Sequence, residues 1–257
     1  MTFTLSSPKV CKTSRTAIYG SGGTGKTTLA AHAIGRTAFI DLDKSIPVLM
    51  PKLQAQGVAA RIVTVDGVET WDHLIGALSA PIFDDVDNVC IDTVTKAQEL
   101  AAAWVPKNIK GEKGQVYSSI EDYPYGQGMG HLYEVMLRMF SACDNLVAKG
   151  KNVILICHEC TSTVPNPEGQ EFLRYEPSLS NPKSGRGSVR LKMKEWCDNL
   201  LFIQNGKIID RDGKATGTNQ RMVYPTDQAW AMAKSRVFDA PFLLDGFGAE
   251  MWKLIQG

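Results

Sequence analysis

Residues 20–28 read Gly20-Ser21-Gly22-Gly23-Thr24-Gly25-Lys26-Thr27-Thr28. The stretch satisfies G-x-x-x-x-G-K-[ST] in full. An apolar run at residues 16–19 leads in, and a helical pattern at 27–34 leads out. Glycines let backbone N–H groups converge on phosphate oxygens with no Cβ in the way, and a helix N-terminus adds positive potential. Lys26 is then placed to reach β- and γ-phosphates, and the Thr27 hydroxyl to ligate Mg²⁺. A chance glycine-rich turn would not have its strand and helix in register. The motif therefore predicts a site for ATP, or a similar nucleoside triphosphate, with Mg²⁺.

Working outward, short β-type runs alternate with helical patterns, the signature of a parallel sheet with helices packed on it. Strands are expected at 38–41, 61–65, 88–92 and 152–157, and helices at about 71–78, 95–104 and 131–148. Residues 106–130 and 159–190 are polar and rich in turn-forming residues, so both read as long loops. From residue 199 onward the pattern turns antiparallel, with Asn205-Gly206 as a hairpin signal between 200–203 and 207–209. A further strand is expected at 221–224 and a last helix at 249–255. There is no internal repeat and no domain-separating linker. The expected fold class is a single α/β domain over 1–257, with residues 1–15 as an N-terminal arm and an antiparallel C-terminal extension.

A phosphate loop needs a second anchor for its metal. Val89-Cys-Ile-Asp92 supplies an aspartate at the end of a buried strand, able to hold Mg²⁺ directly or through water. The strand before it ends Phe39-Ile-Asp41-Leu-Asp43. Both carboxylates are candidates to position an attacking water, and both are equally candidates to cap the next helix. His158 ends the central strand on the same sheet edge as Asp92, where it can hydrogen-bond a γ-phosphate and move the loop behind it. Glu159 is a further base candidate. His32, His73 and His131 fall on helices without companions and read as structural.

The 28 Lys+Arg and 27 Asp+Glu of this 257-residue chain leave a net charge of +1, so overall charge gives no argument for nucleic-acid binding. Six cysteines without a framework suggest reduced thiols, and Cys157-x-x-Cys160 lacks the second pair of a zinc site. The N-terminus lacks the apolar core of a signal peptide, and no apolar run approaches membrane-spanning length. A cytoplasmic protein is expected.

The series GSGGTGKTT, FIDLD, VCIDT and VILICH, in that order, resembles the RecA-like core ATPases. It is most similar to phage-encoded, RecA-like single-strand annealing ATPases and related phage nucleotide-binding proteins, with residues 120–126 and 233–236 also fitting. The resemblance covers about residues 16–240. It implies a phage or prophage ATPase of a bacterial host cell, acting in recombination or annealing on single-stranded DNA, as a homo-oligomer and alongside a single-strand-binding protein. It makes Asp43 the water-activating carboxylate, where relatives usually carry glutamate, so slow hydrolysis is implied. His158 falls where many relatives have glutamine, the group that couples the γ-phosphate to a DNA-binding loop.

The loop behind His158 would then face DNA. Its basic end, Lys183, Arg186 and Arg190, suits either phosphate-backbone contacts or a solvated charged loop. Lys192 and Lys194 fall where RecA-like assemblies reach across to a neighbour's ATP. Lys107, Lys110 and Lys113 with Tyr117, Tyr123 and Tyr125 suggest a second DNA-facing loop with stacking aromatics. Two other functions use the same loop: a small-molecule or nucleotide kinase, disfavoured by the lack of an arginine-rich lid, and a recruitment module with little turnover.

Overall fold

The computed structural model describes residues 7, 12–182, 187–209, 215–244 and 246–257. Residues 1–6 and 8–11 of the expected N-terminal arm therefore lie outside the described residues. In chain order the elements are β1 (Arg15–Tyr19), α1 (Lys26–Ala31), β2 (Thr37–Asp41), α2 (Ile46–Ala55), β3 (Ile62–Thr64), α3 (Trp71–Ser79), β4 (Asn88–Asp92) and α4 (Val94–Asn108). They continue with α5 (Gln127–Ala148), β5 (Asn152–Cys157), β6 (Glu159–Val164), β7 (Phe172–Pro177), α6 (Val189–Trp196), β8 (Asn199–Ile209), β9 (Ala215–Tyr224), β10 (Phe242–Leu243) and α7 (Ala249–Gln256).

Eight strands form one sheet in the order β10-β9-β8-β1-β5-β4-β2-β3, and β6 pairs with β7 apart from it. From β8 to β3 every pairing is parallel, while β9 and β10 add on antiparallel. The fold is of the expected α/β class, a mostly parallel sheet flanked by helices with an antiparallel C-terminal extension. The central strands read as continuous apolar runs because both faces are covered. Alternate residues serve opposite layers. Ala17, Tyr19 and Ile40 join the core beneath α3, α4 and α5. Ile18, Phe39 and Cys90 join the core beneath α1, α2 and α7. All the parallel strands point the same way, so the C-terminal ends of β1, β2, β4 and β5 meet along one edge. That edge carries the polar residues singled out above.

Three expectations are corrected. Asn205-Gly206 is not the hairpin turn: β8 runs through it, pairing Asn205 with Arg221 and Lys207 with Gly217 across a register shift. A pair that tolerates unusual backbone angles serves a bulge as well as a turn. The 106–130 segment is not a long loop, since α4 runs through Pro106 to Asn108, two short 3₁₀ turns follow, and α5 begins at Gln127. Its Tyr123 is buried, with its hydroxyl on the Ile109 carbonyl, and Tyr117 packs against it with ring centroids 4.2 Å apart. Only Tyr125 of the three stands free, fully exposed. The 159–190 stretch contains the β6–β7 hairpin, paired from Glu159↔Pro177 to Val164↔Phe172. Its polar β-branched residues hid the strand signal. The helix that follows β2, to which no bounds were given above, is α2, and its Pro47 sits in the first turn, where proline is tolerated.

Candidate functional site

The loop between β1 and α1 is shaped by close approach on one side and open space on the other. A Cβ at Gly20 would lie 2.1 Å from the Ile203 carbonyl of β8, so only glycine lets β1 leave the sheet here. Gly25 caps α1 in the left-handed conformation at φ 85, which a side chain would strain. Gly22 and Gly23 face open space. Thr24 is buried and its hydroxyl donates to the Ser21 carbonyl at 2.9 Å, so it shapes the loop. The Lys26 ammonium donates to the carbonyls of Gly20 (2.7 Å) and Ser21 (2.8 Å). Burial lowers its pKa, an effect opposed by Asp92 and Glu159.

Thr27 Oγ1 donates to Asp92 Oδ2 at 2.7 Å, joining the loop to the end of β4. Asp92 is buried, and burial pushes its carboxyl up to about 6; the charges of Asp41 and Asp43 add to the shift, while hydrogen bonds from Thr27 and Ser45 oppose it. A hydroxyl beside a carboxylate is a donor set suited to a hard cation such as Mg²⁺ that takes its remaining ligands from phosphate and water. Among the described residues no cluster of three or more His, Cys, Asp or Glu is arranged to hold a metal. Ser45, its hydroxyl 3.2 Å from both Asp92 and Asp41, was missed by the sequence reading, because its place depends on where α2 starts.

The structure separates the two aspartates. Asp41 accepts from the backbone N–H groups of Ser45 (2.9 Å) and Ile46 (2.8 Å), so it caps α2. Asp43 turns instead to His158, whose Nε2 lies 3.2 Å from its Oδ2. Asp43 and His158 line a cavity of about 470 Å³ together with Lys26, Thr27, Thr28 and Asp92. Lys44, Val48, Leu49 and Lys52 complete its far wall, none of them anticipated. Glu159 faces a separate, smaller pocket against Ser21 and Thr24, away from Asp43.

A family model described as an AAA domain matches residues 12–237 of the chain. The chain belongs to this AAA domain family. No curated protein matches it. Among solved structures it is similar to the KaiC-like protein PH0186 from Pyrococcus horikoshii OT3, at 14% identity and TM-score 0.43, over 82% of this chain and 77% of that one. Family and motif together make this a P-loop ATPase domain.

In this AAA domain the basic residues expected to meet DNA part ways. Lys183 and Arg186 lie outside the described residues. Arg190 is corrected: its guanidinium is buried, pairs with Glu176, and donates to Ser162 Oγ (2.8 Å) and the Leu179 carbonyl (3.0 Å). Arg174 pairs with the other Glu176 oxygen at 2.6 Å. A buried carboxylate recruits whatever cations can reach it: Arg174 neutralises Glu176 from within β7, and Arg190 of α6 clamps the β6–β7 hairpin to that helix. Lys192 is half-buried on α6, and Lys194 pairs with Asp227. Cys157 is buried against Met193, and Cys160 touches Arg190, so the C-x-x-C holds no zinc-type set.

Among the described residues no helix is long and apolar enough to cross a membrane.

Proposed function

We propose that this chain is a Mg²⁺-dependent ATPase whose Asp43–His158 pair acts at the γ-phosphate and reports its presence to the β6–β7 hairpin. The carrying observation is the 3.2 Å contact between Asp43 and His158 beside the Thr27–Asp92 pair, all on one cavity wall. Asp43 accepts a proton from the attacking water as water's oxygen bonds to the γ-phosphorus and the bond to the bridging oxygen breaks. ADP and phosphate leave. Mg²⁺, held through Thr27 and Asp92, would neutralise charge on the β- and γ-phosphates. Aspartate reaches one methylene less far than glutamate, which supports slow turnover.

His158 has the geometry of a relay. Its backbone N–H donates to Thr95 Oγ1 at 3.1 Å, and its carbonyl accepts from Ser178 N–H at 2.9 Å. β6 starts at the next residue, and Ser178 directly follows β7, so a shift at His158 pulls on both ends of the hairpin. The partner we assign to that hairpin is single-stranded DNA, in recombination or annealing of the phage type, within a bacterial host's cytoplasm. The resemblance of the motif series supports this reading. With Arg190 buried, contact falls to the remaining basic residues, and Lys194 would act on a neighbouring subunit's ATP only after leaving Asp227. We keep residues 1–257 as one ATPase domain working as a homo-oligomer, with a single-strand-binding protein as a further partner.

The test is ATP hydrolysis with and without single-stranded DNA, at low and high salt. Asp43→Asn is expected to lower kcat by roughly 100-fold or more, with ATP affinity little changed. Lys26→Ala should lose both binding and turnover. Salt-sensitive stimulation by DNA supports the proposed partner. Unchanged hydrolysis in both variants would overturn the ATPase assignment, and tight ATP binding without turnover would favour the recruitment module.

A further inference from the structure

The cavity described above opens on one flank of the phosphate loop. The other flank is walled by the antiparallel extension. Gly20 lies against the Ile203 carbonyl of β8. Ser21 and Thr24 share a pocket of about 200 Å³ with Gln204 and Asn205, also on β8. Asn205 pairs in the ladder with Arg221 of β9, and Arg221 reaches back over the loop. A Cβ built on Gly25 would lie 2.7 Å from Arg221 Nη1. The guanidinium therefore occupies the space directly over Gly25, the residue that caps the phosphate-binding helix.

Arg221 is weakly held for a half-buried arginine. Its Nη2 donates to the Gly246 carbonyl at 2.9 Å, and among the described residues no carboxylate lies within ion-pair distance. Arg190 and Arg174, by contrast, spend their charge on Glu176. A planar cation with donors to spare, beside backbone that gathers phosphate oxygens, matches a polyphosphate in charge and in bidentate geometry. It is not among the residues that line the cavity with Asp43, Asp92 and His158, and the loop backbone it covers, at Gly25, belongs to the part of such a loop that cradles α- and β-phosphates.

We propose that Arg221 is a phosphate-binding residue of the nucleotide site, contacting the polyphosphate on its α/β side from the C-terminal hairpin. This rests on the reading of the loop as an ATP site. It gives β8–β9 a role in sensing any nucleotide, ATP or ADP, whereas Asp43 and His158 respond to the γ-phosphate alone.

Arg221→Gln keeps a donor for the Gly246 carbonyl and removes the charge. In equilibrium titrations with Mg²⁺-ATP and Mg²⁺-ADP, it should weaken both by a similar factor, roughly 10- to 100-fold, the worth of a charge-assisted contact. Arg221→Lys should lose only part of that affinity, and the melting temperature of each nucleotide-free variant checks its fold. If Arg221→Gln unfolds, Arg221→Lys is read alone, and affinities within twofold of wild type overturn the proposal. Loss of ATP affinity alone, with ADP unaffected, overturns it too, because it would put Arg221 at the γ end. Lys26→Ala separates the two levels: if it retains nucleotide affinity, the ATP-site reading itself fails. If Lys26→Ala loses binding and Arg221→Gln does not, only the Arg221 assignment falls.

Discussion

The edge formed by β2, β4 and β5 and the clamp between the β6–β7 hairpin and α6 both gather charged side chains, with opposite outcomes. At the sheet edge, Asp43 and His158 remain accessible around a cavity and meet through a single contact. In the clamp, Glu176 and Arg190 are buried, and each is tied to several partners. A charge left at a solvent-filled edge can change partners when a ligand arrives. A charge taken into the interior is committed, because uncoupling it leaves its partner unpaired in a poorly polarisable medium. The difference separates chemistry from scaffolding among residues that look alike in sequence.

The largest effect should come from the clamp. Glu176→Ala strands two arginines and is expected to cost about 3–5 kcal/mol of stability in urea unfolding. A loss below about 1 kcal/mol would show that water reaches the pair and that the clamp resembles the edge after all. Asp43→Asn, measured the same way, should stay within roughly 0.5 kcal/mol of wild type, as a partly exposed edge residue should.

Asp92 lies between the two classes, buried but facing the site. Its carboxyl, raised to about 6 from an ordinary value of 3.8, binds a proton more tightly folded than unfolded. Its charge therefore costs nothing below about pH 4, costs progressively more as pH rises through 6, and is a full penalty above that. In metal- and nucleotide-free protein, Asp92→Asn should raise stability at pH 7.5 by on the order of 2 kcal/mol, and the gain should vanish near pH 4. A gain that did not depend on pH would mean that shape rather than charge is responsible.

The smallest effect concerns Asp41, which ends β2, and Asp43, which follows it. Removing the cap with Asp41→Ala should cost roughly 1 kcal/mol, while Asp43→Ala should cost little stability and most of the turnover. Equal losses of stability would erase the distinction between them.

Much of the site was legible in advance because its parts are local. The phosphate loop is a contiguous motif, and Asp92 and His158 are marked by the ends of strongly apolar strands. The Asp41–Asp43 choice was not legible. It turns on α2, whose first N–H groups claim Asp41. Nor was the β6–β7 hairpin, since alternating threonines and a Pro-Asn-Pro-Glu-Gly turn look like a loop until the strands are seen to pair.

The sequence by itself determined the phosphate loop, the parallel core and the candidate metal carboxylate, because short-range spacing and hydrophobic period suffice for each. Only the tertiary structure decided that Arg190 is consumed by Glu176, that Asp43 rather than Asp41 faces His158, and that Arg221 lies over Gly25. The physical reason is common to all three. Whether a charge is free depends on its burial and on its partners, and the partners come from segments that folding alone brings together.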